Sequence, residues 1–318
     1  MVITTIALFL GACLLLVLSG WLLVKSLSKI SIFLRINEFI VAFIMMAFCT
    51  SLPELFVGIS SAIQGKPTIS LGNVIGSNIV DLTLIAGIAI LLARGIRIER
   101  KIIPREVFGM VFLTALPMVL MYFGKELSRL DGLILLGAFA IYMYEMVTSK
   151  HAQYEKKFKD HISHWTALLT FVIFIVCAIG LYVSSKWVVH YGSELATMLG
   201  MPPIIIGLFF VAIGTSLPDL TFSARAVLAK HAPLAIGDLV GAVVVNSTVV
   251  LAITALITPI TNSFFLFVTS AAFMIAITFL FATFIESGEK LTWKEGVSLI
   301  LFYIVFVIVE LNLQQYFK

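Results

Sequence analysis

The chain has 318 residues, of which 61% are hydrophobic and only 12% charged. A soluble domain carries about twice that charge, so a water-soluble globular protein is excluded. The formal net charge of +4 says little by itself; the placement of the charges says more.

Apolar runs of roughly 20 residues, the length a bilayer demands, recur along the chain. They do not alternate as β-barrel strands do. The class is an all-α polytopic membrane protein whose first partner is the lipid bilayer, with no nucleic-acid partner expected. Ten helices are predicted, over residues 3–24, 36–65, 68–93, 105–123, 129–148, 163–189, 200–231, 234–257, 262–284 and 292–313. The first follows Met1 without a basic leader or a small-residue cleavage site, and reads as a retained helix. The second is long and broken near Thr50-Ser51, and Pro53 removes a backbone donor just past the break. Pro117 is expected to kink the fourth.

The one sizeable polar connection, Ser149–His161, carries Lys150, Lys156, Lys157 and Lys159. It divides the chain into a first five-helix repeat (1–148), a basic cytoplasmic linker (149–162) and a second repeat (163–318). The seventh helix repeats the break at Thr215-Ser216, followed by Pro218. Cys13, Cys49 and Cys177 lie in apolar runs and form no metal or disulfide spacing.

Lys and Arg at alternate loops set the orientation. Lys25, Lys29, Arg35, Arg94, Arg97, Arg100, Lys101, Arg105, Lys150, Lys156, Lys157, Lys159, Lys230, Lys290 and Lys294 collect on one side. Lys66, Lys125, Arg129, Lys186 and Lys318 collect on the other. This bias places both termini outside, in an inner or plasma membrane. An odd number of helices per half inserts the two repeats in opposite senses, so they are inverted repeats. Trp21, Trp165, Trp187 and Trp293 fall near predicted helix ends, as an aromatic belt requires. Glu145 and Glu310 are expected at the interfaces, and Arg225 to snorkel.

Two near-copies of one motif carry the chemistry. Thr50-Ser51-Leu52-Pro53-Glu54-Leu55 is answered 165 residues later by Thr215-Ser216-Leu217-Pro218-Asp219-Leu220. Gly72-Asn73-Val74-Ile75-Gly76 is answered by Gly237-Asp238-Leu239-Val240-Gly241, and Asp81 by Asn246. The four glycines read first as sites of close helix packing. Thr50 and Glu54 share a helix face, as do Thr215 and Asp219, and Ser77 and Asp81. Folding about the pseudo-axis would bring Glu54, Asp81, Asp219 and Asn246 together near the midplane. A carboxylate there costs about 2.5–3.5 kcal/mol even on the lenient scale, and three facing one another require cations. Carboxylate, amide, hydroxyl and carbonyl oxygens suit Ca2+ and Na+ rather than soft metals. The breaks are expected to free the carbonyls of Ala47 and Ala212 toward the cavity. Asp238 is either a ligand or a residue of the cytoplasmic mouth.

A pocket of about three negative charges resists switching between inward-open and outward-open forms until cations fill it. That rule describes an exchanger rather than a uniporter. A cation channel would need no trap of this kind. An enzyme would need a nucleophile–base set or a metal-binding His motif, and neither is present, nor is any cofactor implied.

At these residues the chain resembles the cation/Ca2+ exchanger superfamily, specifically the prokaryotic sodium/calcium exchangers. The resemblance implies ten helices in two inverted repeats, and antiport of Ca2+ against Na+ by alternating access. It implies that the first and sixth helices slide across a core of eight. Carried onto this sequence, Glu54 and Asp219 are the paired acidic Ca2+ ligands, with Thr50 and Thr215 beside them. Ser51, Ser77, Ser216, Ala47 and Ala212 serve Na+, and Asp81 and Asn246 complete the centre. Cys49 stands where the family has glycine, and Asp219 is one methylene shorter than Glu. The acid and amide at Asp81 and Asn246 are exchanged between repeats. Ala242-Val243 replaces Ser-Asn and removes a hydroxyl. These departures leave the counter-ion open between Na+, H+ and K+; the oligomeric state is open as well.

Overall fold

The computed structural model describes residues 2–33, 46–97, 103–148, 164–229, 232–261, 264–287 and 290–315. The linker at 149–162 and the start of the second predicted helix lie outside them. α1 spans Val2–Phe33. The second membrane helix is α2 (Met46–Thr50) and α3 (Leu52–Ile63). The third is α4 (Pro67–Val80), a π-helical turn at Asp81–Ile85, and α5 (Ala86–Leu92). α6 (Ile103–Gly124) and α7 (Arg129–Thr148) complete the first half. The second half opens with α8 (His164–Leu199). Its broken helix comprises α9 (Pro203–Ile205), a π segment Ile206–Val211, α10 (Ala212–Thr215) and α11 (Leu217–Leu228). α12 (Ala232–Val245), a π turn at Asn246–Val250 and α13 (Leu251–Ile257) follow, then α14 (Phe264–Ser287) and α15 (Trp293–Gln315). Among the described residues eight helices are long and apolar enough to cross a bilayer. The α2–α3 pair and α7 occupy the places of the second and fifth of the ten predicted.

The internal repeat is visible in the backbone. Both breaks have the same conformation: Ser51 and Ser216 each sit at φ −81°, ψ 0°. A proline in the first turn of the following helix is the shared local cause. The π turns begin at Asp81 and at Asn246, again 165 residues apart. Pro117 is accommodated inside a continuous α6.

Four two-residue strands were not anticipated. β1 (Ile96–Arg97) pairs antiparallel with β4 (Lys290–Leu291), Ile96 opposite Leu291. β2 (Glu126–Leu127) pairs with β3 (Ile260–Thr261), Leu127 opposite Ile260. Each ladder joins a loop of one half to a loop of the other, and the inverted repeat exchanges the two ladders. Strands this short leave no periodic signal in a sequence.

The halves interlock through α4. A Cβ on Gly72 would stand 2.0 Å from the Ile204 carbonyl oxygen, and one on Gly76 would stand 2.1 Å from that of Leu208. Only glycine allows this approach of two backbones, as expected for close helix packing. It sets Ser77, one residue further, against the second broken helix.

Two apolar clusters divide the molecule. The larger runs through the helices from α4 to α7 and from α9 to α15. The smaller joins α1 and α8, through Phe9, Leu16, Leu23, Leu181 and Val189, to Val57, Ile69 and Ile206. α1 and α8 also exceed their predicted ends at 24 and 189. α8 has 36 residues, about 54 Å of helix against a hydrocarbon core of about 30 Å. Gly200, at φ 63°, ends it. Polar residues at 190–194 therefore continue the helix instead of stopping it. Trp187 consequently lies well inside α8, whereas Trp165 and Trp293 do sit at helix starts.

Candidate functional site: a buried oxygen-lined centre

The two breaks meet α4 and α12 in the interior. All eleven residues expected to hold ions are buried: Ala47, Thr50, Ser51, Glu54, Ser77, Asp81, Ala212, Thr215, Ser216, Asp219 and Asn246. Ser77 ties the halves together. Its hydroxyl donates to Glu54 Oε1 at 3.3 Å and stands 3.1 Å from Thr215 Oγ1. Thr215 Oγ1 in turn lies 3.1 Å from Asn73 Oδ1 and 3.2 Å from the Ala212 carbonyl oxygen. On the opposite side Thr50 Oγ1 lies 3.4 Å from both Asp238 Oδ1 and the Ala47 carbonyl oxygen.

The acids act on one another. Asp81 lies within electrostatic range of Asp219, Glu54 and Asp238, with the Ser216 side chain beside it. Glu54 likewise feels Asp219. Yet among the described residues no three His, Cys, Asp or Glu converge closely enough to hold a metal by themselves. The carboxylates share a centre but form no all-acid cage. Hydroxyls stand beside them, as Ser77 does at Glu54 and Thr50 at Asp238. A cation here would take mixed ligands.

Donors are scarce. Each Ser or Thr hydroxyl has one proton to give, and Thr215 is within reach of two acceptors. Glu54 Oε2, both Asp81 oxygens, Asp219 Oδ1, Asp238 Oδ2 and Asn246 Oδ1 receive no hydrogen bond. No Lys, Arg or His is buried among the described residues. Buried anionic oxygen without a donor or counter-charge is strongly unfavourable. Hard cations supply the missing positive charge.

One expectation is corrected. The breaks do not free the Ala47 and Ala212 carbonyls, which accept the amides of Ser51 and Ser216 at 3.3 and 3.0 Å. The absent donors are those of Pro53 and Pro218, so the helical partners of the Cys49 and Gly214 carbonyls are the ones lost. Ala47 and Ala212 keep a second lone pair each, which their own threonines approach.

Other residues were missed. Asn73 is not among the expected ligands and Asp238 is left open there, although each hydrogen-bonds a predicted ligand. Their equal spacing from Ser77 and Ala242 was the available signal. Asn78 Nδ2 donates to Ser247 Oγ at 2.8 Å, and the Ser70 and Thr254 hydroxyls pair at 2.9 Å. Both contacts cross between the halves, and neither had a motif to mark it. Glu310 is buried within the protein and accepts from Ser270 Oγ at 2.8 Å. Glu145 and Arg225 are exposed.

An inverted pair of broken helices around a buried, cation-demanding centre defines a polytopic membrane transporter. The sequence profile of the family described as "Sodium/calcium exchanger protein" matches residues 4–148 and 169–312. The chain belongs to that family. It is 28% identical to the sodium/calcium exchanger MaX1 of Methanosarcina acetivorans over 325 residues, covering 90% of this chain and 92% of MaX1. It is 31% identical to CaxA of Alkalimonas amylolytica over 268 residues, 81% of this chain and 82% of CaxA. The solved structure of the sodium-calcium exchanger NCX_Mj superposes with a TM-score of 0.69 at 24% identity, covering 97% of this chain and 99% of that one.

Proposed function

We infer that this protein is a secondary antiporter that exchanges Ca2+ for Na+ across a membrane by alternating access. The observation that carries the reading is that the centre gathers four buried carboxylates, Glu54, Asp81, Asp219 and Asp238, with no buried basic residue among the described ones. The naming of MaX1 as a sodium/calcium exchanger supports it.

Glu54 and Asp219 are the paired acidic ligands of Ca2+, with Thr50 and Thr215 beside them. Ser51, Ser77, Ser216, Ala47 and Ala212 serve Na+, and Asp81 and Asn246 complete the centre. Filling the pocket cancels its charge and permits the switch; emptying it arrests the switch. α1 and α8, which meet the other helices through the smaller cluster at Val57, Ile69 and Ile206, move against those helices.

The repeats are 1–148 and 163–318, joined by a basic linker at 149–162. The protein sits in an inner or plasma membrane with both termini outside. Two contacts support the grouping of these loops by side. Arg97 and Lys290, both assigned to the inside, share one ladder. Gln64, beside Lys66, donates to the Lys186 carbonyl, both lysines being assigned to the outside.

The test is E54Q. It removes one charge and keeps shape. We expect Na+-driven Ca2+ uptake into proteoliposomes to fall to background while the protein still purifies folded. Normal uptake in E54Q overturns the assignment.

A further inference from the structure

The two halves carry equivalent clusters that differ in one respect. Around Thr215 stand Asn73 and Ser77, an amide and a hydroxyl. Around Thr50 the equivalents are Asp238 and Ala242. Thr50 Oγ1 lies 3.4 Å from Asp238 Oδ1, and Ala242 offers no side-chain oxygen. The second cluster has therefore lost a hydroxyl and gained a carboxylate.

That carboxylate has no structural necessity. As an acceptor for Thr50, an amide would serve, as Asn73 does for Thr215. An acid adds a charge to the membrane interior, where charges are expensive and functional. Asp238 is fully buried, and its Oδ2 receives no hydrogen bond. It feels the charge of Asp219, which has the same sign. An unpartnered anionic oxygen beside a threonine and a second acid needs a cation.

Resting on the exchange reading above, we propose that Asp238 is itself a cation ligand. With Thr50 it forms a subsite for a hard monovalent cation of the Na+ class, replacing by charge the hydroxyl lost at Ala242. Asp219 beside it is already assigned to Ca2+, so Asp238 adds one further negative charge, which matches one monovalent cation, whereas a divalent ion calls for more acidic ligands.

Two variants test this in proteoliposomes. D238N gives the second cluster the amide of the first, and D238N/A242S also restores its hydroxyl. D238N should raise the Na+ concentration for half-maximal Ca2+ release about tenfold, by loss of a charged contact. The Na+ dependence should become less steep, and the Ca2+ midpoint should move by less than about twofold. The double variant should recover part of the Na+ affinity. An unchanged Na+ dependence in D238N overturns the proposal. So does a Ca2+ shift larger than the Na+ shift, or a double variant no better than D238N. If D238N is inactive, Na+-dependent thermal stabilisation of the purified full-length protein decides. Its loss supports the ligand role, and wild-type stabilisation refutes it. Failure of the wild type to couple Na+ to Ca2+ sinks the exchange reading, while the Na+ stabilisation measurement still judges Asp238.

Discussion

Thr215 of the second half places its hydroxyl 3.1 Å from the amide oxygen of Asn73 in the first. The inverted repeat returns the same contact between Thr50 and Asp238 at 3.4 Å. Each broken helix is thus held at its break by an unbroken helix of the opposite half. The ion-binding centre exists only where the halves meet. Neither half alone could bury these oxygens.

Asp219 is the acid of the second break, and its Oδ1 has no hydrogen-bond donor. D219N should abolish Ca2+ transport, as E54Q should, because each removes a charge from the same centre. A charge-restoring D219E should retain measurable exchange. Radiolabelled Ca2+ uptake by the two variants, with Na+ as driver, checks both outcomes.

Ser77 bridges Glu54 and Thr215. S77A makes the first cluster resemble the second, which already has Ala242, but without a compensating acid. Ca2+ uptake at sub-saturating Na+ should fall about tenfold or more, since a hydroxyl contact to a charged group contributes about 1.5–3 kcal/mol. Thermal stability should fall by about 1–3 kcal/mol, since Glu54 and Thr215 each lose a buried partner. A Na+ titration of uptake, alongside a melting curve, separates these effects.

Gly76 lets α4 meet the π segment before α10, with a would-be Cβ 2.1 Å from the Leu208 carbonyl oxygen. G76A must push the two backbones apart. It should destabilise the protein by about 1–3 kcal/mol, the usual cost of overpacking. It should also weaken exchange by separating Ser77 from Thr215. Melting temperature in detergent and uptake rate should therefore fall together.

Ser60 of α3 and Ser185 of α8 have hydroxyl oxygens 2.7 Å apart, close enough for a disulfide between cysteines placed there. In a background lacking Cys13, Cys49 and Cys177, oxidised S60C/S185C should tie α8 to α3 and so block the proposed movement of α8. Exchange should stop on oxidation and return on reduction. Full exchange in the crosslinked protein would show that α8 and α3 move as one body.

The paired motif revealed most of this arrangement because two rare features coincide in it. Acids in apolar runs and proline-interrupted helices are each costly, and their recurrence at one spacing located both breaks. Ser51 and Ser216 proved to have the same backbone conformation for that reason. Composition made the helix count legible. The helix ends were less so: His190-Tyr191-Gly192-Ser193-Glu194 is polar enough to suggest a stop, but α8 runs through it to Leu199. The strands at Ile96 and Lys290 are too short to have a period. Asp238 was ambiguous because its role depends on Thr50, which is distant in sequence and adjacent only after folding. The contact of Glu310 with Ser270 has no motif to mark it, because only folding brings α14 against α15.

The central claim is that opposite ion gradients are coupled through one shared centre. The most direct measurement is Ca2+ uptake into proteoliposomes under Na+, K+ and pH gradients imposed one at a time. We expect rapid uptake when internal Na+ exceeds external Na+, and none when all three gradients are absent. Ca2+ entry that proceeds equally well with no counter-ion inside would contradict the account.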